Sequence, residues 1–425
     1  MLTRKMKDSG IEWIGEIPEN WEVKKVKYMF RIVNGNGFPE NLQGEKEGDY
    51  PFYKNSDINK LGIYINKSNN YISKNTATIN KFTVIPSKSI LIGKIGEALK
   101  RNHRKINLSE CMIDNNMMAL VPKENELFSY YLLTTIDMFW FDNNGTIPSL
   151  NSNKLRNFKI PYVNKTLQKN IVEILNKKTQ KIDKLISSTQ QSIKELKKYK
   201  QSLITEAVTK GLDPNVEMKD SGIEWVGKIP KHWSVRKISN YFSQVKDKND
   251  ELEEENLLSL SYGSIIRRNI NSTDGLLPAN FKNYNIVESG DIVLRMTDLQ
   301  NDKVSLRTGF VTEKGIITSA YITIRTDHKN VIFPKYIRLF LHSFDIYKGF
   351  YGMGSGVRQN VTYNDIKKIE VIVPSINEQQ RIVSYLDEKS ASIDKLIEDK
   401  TKVIEELEDY KKSLIYEYVT GKKEV

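Results

Sequence analysis

Apolar residues fall along this chain in two rhythms that alternate twice. In about 31–155 and again in about 243–370 they come as short runs among Gly, Asn and Tyr, such as Ser89-Ile90-Leu91-Ile92-Gly93 and Asp291-Ile292-Val293-Leu294. Short β-branched runs with that punctuation predict strands. In about 166–209 and 377–419 the rhythm becomes one of seven. The first stretch places Leu175, Ile182, Thr189, Leu196 and Leu203 in register; the second places Leu386, Ile393, Lys400, Leu407 and Leu414. Companion apolar positions are Leu185, Ile186, Ile193 and Tyr199, matched by Leu396, Ile397, Ile404 and Tyr410. Pro161 and Pro374 stop each helix from extending backwards, and neither interior holds Pro or Gly. Five heptads flanked by charges predict a coiled coil, with Leu175, Ile182, Leu196, Leu203, Leu386, Ile393, Leu407 and Leu414 in its seam. The polar residues Thr189 and Lys400 occupy the middle core positions. Such residues fix register, and antiparallel pairing of the two helices would bring them together.

The segments between these rhythms are duplicated. Met6-Lys7-Asp8-Ser9-Gly10-Ile11-Glu12-Trp13 returns as Met218-Lys219-Asp220-Ser221-Gly222-Ile223-Glu224-Trp225, and Trp21 returns as Trp233. Ile182-Asp183-Lys184-Leu185-Ile186 returns as Ile393-Asp394-Lys395-Leu396-Ile397. Two copies are too few for a solenoid. They predict a pseudo-dimer in one chain, an arrangement suited to two DNA half-sites. The strand-rich regions share only weak local echoes, which suggests one mount carrying two different recognisers. The predicted fold is α+β: two mixed α/β recognition domains, 1–160 and 216–372, joined by helical regions 161–215 and 373–425 that pair antiparallel with pseudo-twofold symmetry. About 42 helical residues would span roughly 63 Å, so the helices would act as a ruler between two patches on one duplex. The repeated tryptophans are expected to anchor each opening segment to its domain.

Composition narrows the picture. The 425 residues are 39% hydrophobic and 28% charged, with no apolar run long enough for a membrane span. The N-terminus carries no apolar leader, and Cys111 is the only cysteine, which fits a reducing, cytoplasmic setting and no disulfide. The net charge of +12 favours a polyanionic partner. The helical segments differ in charge: 165–210 holds 11 Lys against 4 acidic residues, and 378–425 holds 9 basic against 12 acidic. Opposite signs favour pairing of the two helices with each other.

The motifs of catalysis are absent. The four histidines form no metal-binding spacing, no GxxxxGK[ST] loop is present, and no Asn/Asp-Pro-Pro-aromatic segment of an adenine methyltransferase occurs. Expected DNA contacts fall into two kinds. Arg101 and Arg104, in the basic run 100–105, and Arg267 with Arg268 are candidates for phosphate. Lys94 after the first apolar strand, Arg295 as its match in the second half, Ser149, Asn151 and Asn153, and Arg358, Gln359 and Asn360 are candidates for base readout, because Arg suits guanine and Asn or Gln suits adenine. The residues alone leave open a coiled-coil adaptor that binds only protein, and a stand-alone DNA-modifying enzyme.

At this point the residues resemble a family. Met6–Trp21, Met218–Trp233 and the closing run Val373-Pro374-Ser375-Ile376-Asn377-Glu378-Gln379-Gln380-Arg381-Ile382-Val383 look like the duplicated motifs of type I restriction–modification specificity subunits. The first copy departs, since Leu167-Gln168 replaces the Glu-Gln pair. The resemblance implies two target-recognition domains reading a bipartite asymmetric site in double-stranded DNA. It implies a non-catalytic chain bound by two methyltransferase subunits and by restriction and motor subunits. No cofactor is then expected in this chain; S-adenosylmethionine and ATP with Mg would belong to the partners.

Overall fold

A computed structural model describes residues 5–425 apart from 60–61, 272–277, 279, 298, 300–305 and 354–360. The chain forms two compact units: Met1–Thr189 with Lys402–Val425, and Gln190–Thr401. The divisions fall inside the two long helices, beside the polar heptad positions Thr189 and Lys400. The helices run Lys165–Lys210 and Ile376–Val419, as the heptads predict. Among the described residues no helix is long and apolar enough to cross a membrane.

In unit 1 the opening motif is a hairpin, Met6–Ile11 against Gly15–Pro18. The next strand, Glu22–Lys25, pairs antiparallel with Lys159–Tyr162, the last strand before the helix. Between them lies a sheet whose order is Phe30–Asn34, Met117–Pro122, Ile90–Gly93, Arg104–Asn107 and Tyr64–Ile65. The first four are antiparallel neighbours; the last joins in parallel. Alternation along Ile90–Ile92 explains two cores. Ile90 and Ile92 face Trp21, the helix Glu126–Thr134 and the long helix, while Leu91 faces a smaller cluster around Tyr53 and Cys111. The long helix contributes Ile171, Val172, Leu175 and Ile182 to the larger core, and the C-terminal helix contributes Leu414, Ile415, Tyr418 and Val419.

Unit 2 repeats this plan. Its hairpin is Met218–Asp220 with Lys228–Pro230, and Ser234–Lys237 pairs with the closing strand Glu370–Val373. Its sheet runs Ser243–Gln244, Ile322–Arg325, Ile292–Leu294, Thr308–Phe310, all antiparallel. The strand order matches the first four strands of unit 1. Sequence comparison saw only weak echoes here, because the shared feature is a hydrogen-bonding order that many apolar sequences satisfy. Ile292 and Leu294 face Trp233 and the helices, and Val293 faces the smaller core.

Within each unit the two long helices lie antiparallel. In unit 1 Asp183 accepts from Lys411 at 2.6 Å, and Lys178, earlier in its helix, sits over the ring of Tyr418, later in its own. In unit 2 Lys200 lies 2.6 Å from Asp394, and Ile204, Ala207 and Val208 share a core with Ile382, Val383 and Leu386. Of the predicted seam, Leu175, Ile182, Leu386, Ile393 and Leu414 are buried; Leu196, Leu203 and Leu407 are half-buried. Four companions are not in a seam. Leu185, Tyr199, Leu396 and Tyr410 are each about half exposed. The 3.6-residue turn of a straight helix rotates them off the buried stripe that a strict heptad would keep.

Both long helices end on a glycine in the left-handed region, Gly211 at φ 79° and Gly421 at φ 75°. A Cβ on Gly211 would lie 3.1 Å from the Trp233 ring, and one on Gly421 would lie 2.5 Å from Pro18 and 3.1 Å from the Trp21 ring. Each helix end therefore abuts an opening hairpin. In unit 1 Tyr416 also donates to the Trp13 carbonyl, and Lys422 to that of Glu16.

Candidate nucleic-acid interface

The loops at one end of the unit 1 sheet gather three of the base-reading candidates. In unit 1 Lys94 leaves the strand Ile90–Gly93, and its carbonyl accepts from Leu150 at 2.9 Å. Ile95 bridges Ser149, so Lys94, Ser149 and Asn151 come together. The Lys94 ammonium donates to Asn34 at 3.1 Å, and partial burial holds it below the usual lysine range, with Asp114 opposing the shift. The Lys94 amide donates to the Asn116 carbonyl. Asn143 bonds both Ser149 and Asn151. The result is a surface rich in asparagine around one lysine, chemistry that suits adenine and guanine edges. Asn34, Asn116 and Asn143 were missed by sequence reasoning, because strand pairing across distant segments is what assembles them.

Several candidates hold the fold instead. Arg104 is buried, and its guanidinium donates to the carbonyls of Asn102 and Ile136; burial lowers it to about 10. Lys105 is also buried and donates to the Gly62 carbonyl. The cause is local. Asn102 at φ 57° ends the short helix Glu97–Arg101 and turns the basic run into the strand Arg104–Asn107. Arg101 remains exposed beside Glu97 at 3.5 Å. Asn151 caps the helix Ser152–Asn157 by accepting from Asn153 and Lys154 amides, while Asn153 itself is exposed. In unit 2 Arg267 grips Glu313, with Nε 2.8 Å from Oε1; Arg268 is exposed.

The expected match of Lys94 with Arg295 is one residue out of register. Val361 donates to the carbonyl of Met296, as Leu150 does to that of Lys94, so Met296 is the counterpart. Arg295 is half-buried at the same strand end, its amide 2.9 Å from the Arg307 carbonyl. Asn34 corresponds to exposed Lys246, and Asn116 to Ala320. Equal frames thus present unlike side chains. Arg307 is fully buried and donates to the carbonyls of Arg295 and Thr297, shaping this edge from beneath. Arg358, Gln359 and Asn360 lie outside the described residues.

The tryptophans are anchors. Trp21 and Trp233 are buried, Trp13 stacks on Phe158 with centroids 6.1 Å apart, and Trp225 packs on Phe340, Phe344 and Tyr347. Glu378 accepts from His232 at 2.8 Å, Trp233 at 3.2 Å and Ser375 at 2.7 Å. Burial raises its carboxyl, but these donors outweigh it and hold the group at about 2.

Residues 18–198 and 230–406 match the family model of the type I restriction modification DNA specificity domain. The chain belongs to this family. A Methanocaldococcus jannaschii protein assigned as the specificity subunit of type I restriction enzyme MjaX is 26% identical, over 96% of this chain and 95% of its own length. The MjaVIII type I specificity subunit of the same organism is 25% identical, over 96% and 93%. The fold is similar to a chain from a structure addressing complex assembly and conformational transition of the type I R-M system, with TM-score 0.64 and 13% identity over 96% of this chain and 99% of that one. As a type I specificity protein, the chain is a DNA sequence-recognition subunit, and the family domain occurs in it twice.

Proposed function

We propose that each unit reads one half of a split, asymmetric site in double-stranded DNA, and that the chain carries two methyltransferase subunits to it. The observation that carries this reading is the pairing of equal four-strand frames with unequal edges: Lys94, Asn34 and Asn116 in one, Met296, Lys246 and Ala320 in the other. A homodimer would read a palindrome; two unlike edges in one chain suit an asymmetric site. Restriction and motor subunits join the assembly. Chemistry on adenine, with S-adenosylmethionine and ATP–Mg, belongs to the partners, and base flipping is theirs. The non-catalytic role fits a sequence without metal-binding histidine spacing, P-loop or methyltransferase motif.

Two copies of one partner need the same surface twice. Near the Asp183–Lys411 pair along the helices of unit 1 come Leu185 and Tyr410, and near Asp394–Lys200 in unit 2 come Leu396 and Tyr199, all about half exposed. These half-exposed Leu/Tyr pairs suit that role. Selection of bound duplexes from a random-sequence library tests the reading. Two separated clusters of preferred bases are expected; a single cluster, or none, would defeat it.

A further inference from the structure

Among the described residues Tyr262 is the most exposed large hydrophobic side chain, 81% open to solvent. With Gly263 it forms the two-residue turn between the paired strands Leu258–Ser261 and Ser264–Arg267. φ is positive at both, 46° and 81°. Such turns are of type I′ and favour Asn-Gly; a bulky residue at the first position is strained. The fold holds that strain from beneath. Arg338, half-buried in the helix Pro334–Ile346, donates to the Gly263 carbonyl, and the Leu306 side chain lies 3.1 Å from where a Gly263 Cβ would be. A bulky side chain left in water on a strained, buttressed turn marks a working surface.

Its position says which. Gly263 packs on Leu306, next to Arg307, whose carbonyl accepts from Arg295. The tip thus stands at the strand end of Arg295, and exposed Lys246 follows Ser243–Gln244, two strands away in the same sheet. No two-residue hairpin with an aromatic tip occurs among the described residues of unit 1. A partner that docks twice requires repeated features, whereas base sequence is what differs between halves. We propose that Tyr262 is a specificity-determining contact that meets base edges, the thymine methyl foremost, in the half-site read by unit 2. This rests on the DNA-reading role above.

The test uses the full chain, library selection and thermal melting. Tyr262→Asn creates the favoured Asn-Gly turn, so it should melt higher than the parent. It should lose preference about tenfold at one or two adjacent positions of one cluster, with the other cluster unchanged. Tyr262→Phe should keep the preference. Full preference in the Asn variant would overturn the proposal, as would intact preference with weakened methyltransferase binding, which would make the tip a protein contact. Equal loss in both clusters would also overturn it. A parent chain without any preference would instead sink the DNA-reading role, and this inference with it.

Discussion

Gln168 and Gln379 are fully buried, and each donates from Nε2 to the carbonyl five residues upstream, Val163 or Pro374, at 2.9 Å. Gln379 also accepts from the Phe333 amide and donates to Val331. Gln379→Leu would orphan those backbone groups and cost about 2–3 kcal/mol, read as a lower urea midpoint at unchanged slope. Spacing could not reveal this, since a buried Gln and a solvated one look alike among helix polar residues. Glu378 gives a pH signature. Its folded-state carboxyl lies at about 2, below the ordinary 4.5. The stability it contributes is present above 4.5 and is lost as pH falls from there through about 2. Against Glu378→Gln, the parent should melt higher at pH 6, and the gap should close across that window. A constant gap would mean that packing, not charge, holds the site. Arg104 was misread for the opposite reason to Gln379: a basic run signals exposure, and only the left-handed turn at Asn102 brings its guanidinium inside.

The long helices were the most legible elements, because five heptads without Pro or Gly leave little alternative. Their charge was less so. The net charges suggested a basic helix attracting an acidic one, yet the ion pairs are reciprocal, Lys411 to Asp183 and Lys200 to Asp394. Each is surface-exposed and contributes on the order of 0.5 kcal/mol, so burial of Leu175, Ile182, Leu386, Ile393 and Leu414 holds the helices. Replacing Leu196 and Leu407 together with Asp should abolish partner assembly in co-purification, because both are half-buried on these helices. Leu185→Asp with Leu396→Asp should weaken assembly while leaving the melting temperature within about 1 °C, since both side chains are exposed. Assembly retained in that variant would place the partner surface elsewhere.

For the molecule as a whole, duplication was readable in the opening and closing motifs, where identity survives. The shared sheet order was not, because four short apolar strands constrain topology more than sequence. The reading edges were legible only as residue types. Lys94, Ser149 and Asn151 meet as expected, but the asparagines around them come from strands far apart in the chain. Exchanging residues 243–370 for the equivalent stretch of a relative should alter one half of the preferred site and leave the other as it was. Genome-wide mapping of N6-methyladenine would read the result; change in both halves would mean that the units do not read independently.

Gly211 rests on Trp233, ahead of the second hairpin, and Gly421 rests on Trp21 of the first. The seven residues 211–217 carry the chain from the first of these helix ends into its hairpin. Each unit therefore closes its long helix on its own opening hairpin in the same way. A rearranged gene that begins near Met218, runs through Val425 and re-enters at Met1 through a linker of similar length would encode the same surfaces in rotated order. The order of the halves along the polypeptide would then be separable from the surfaces they present.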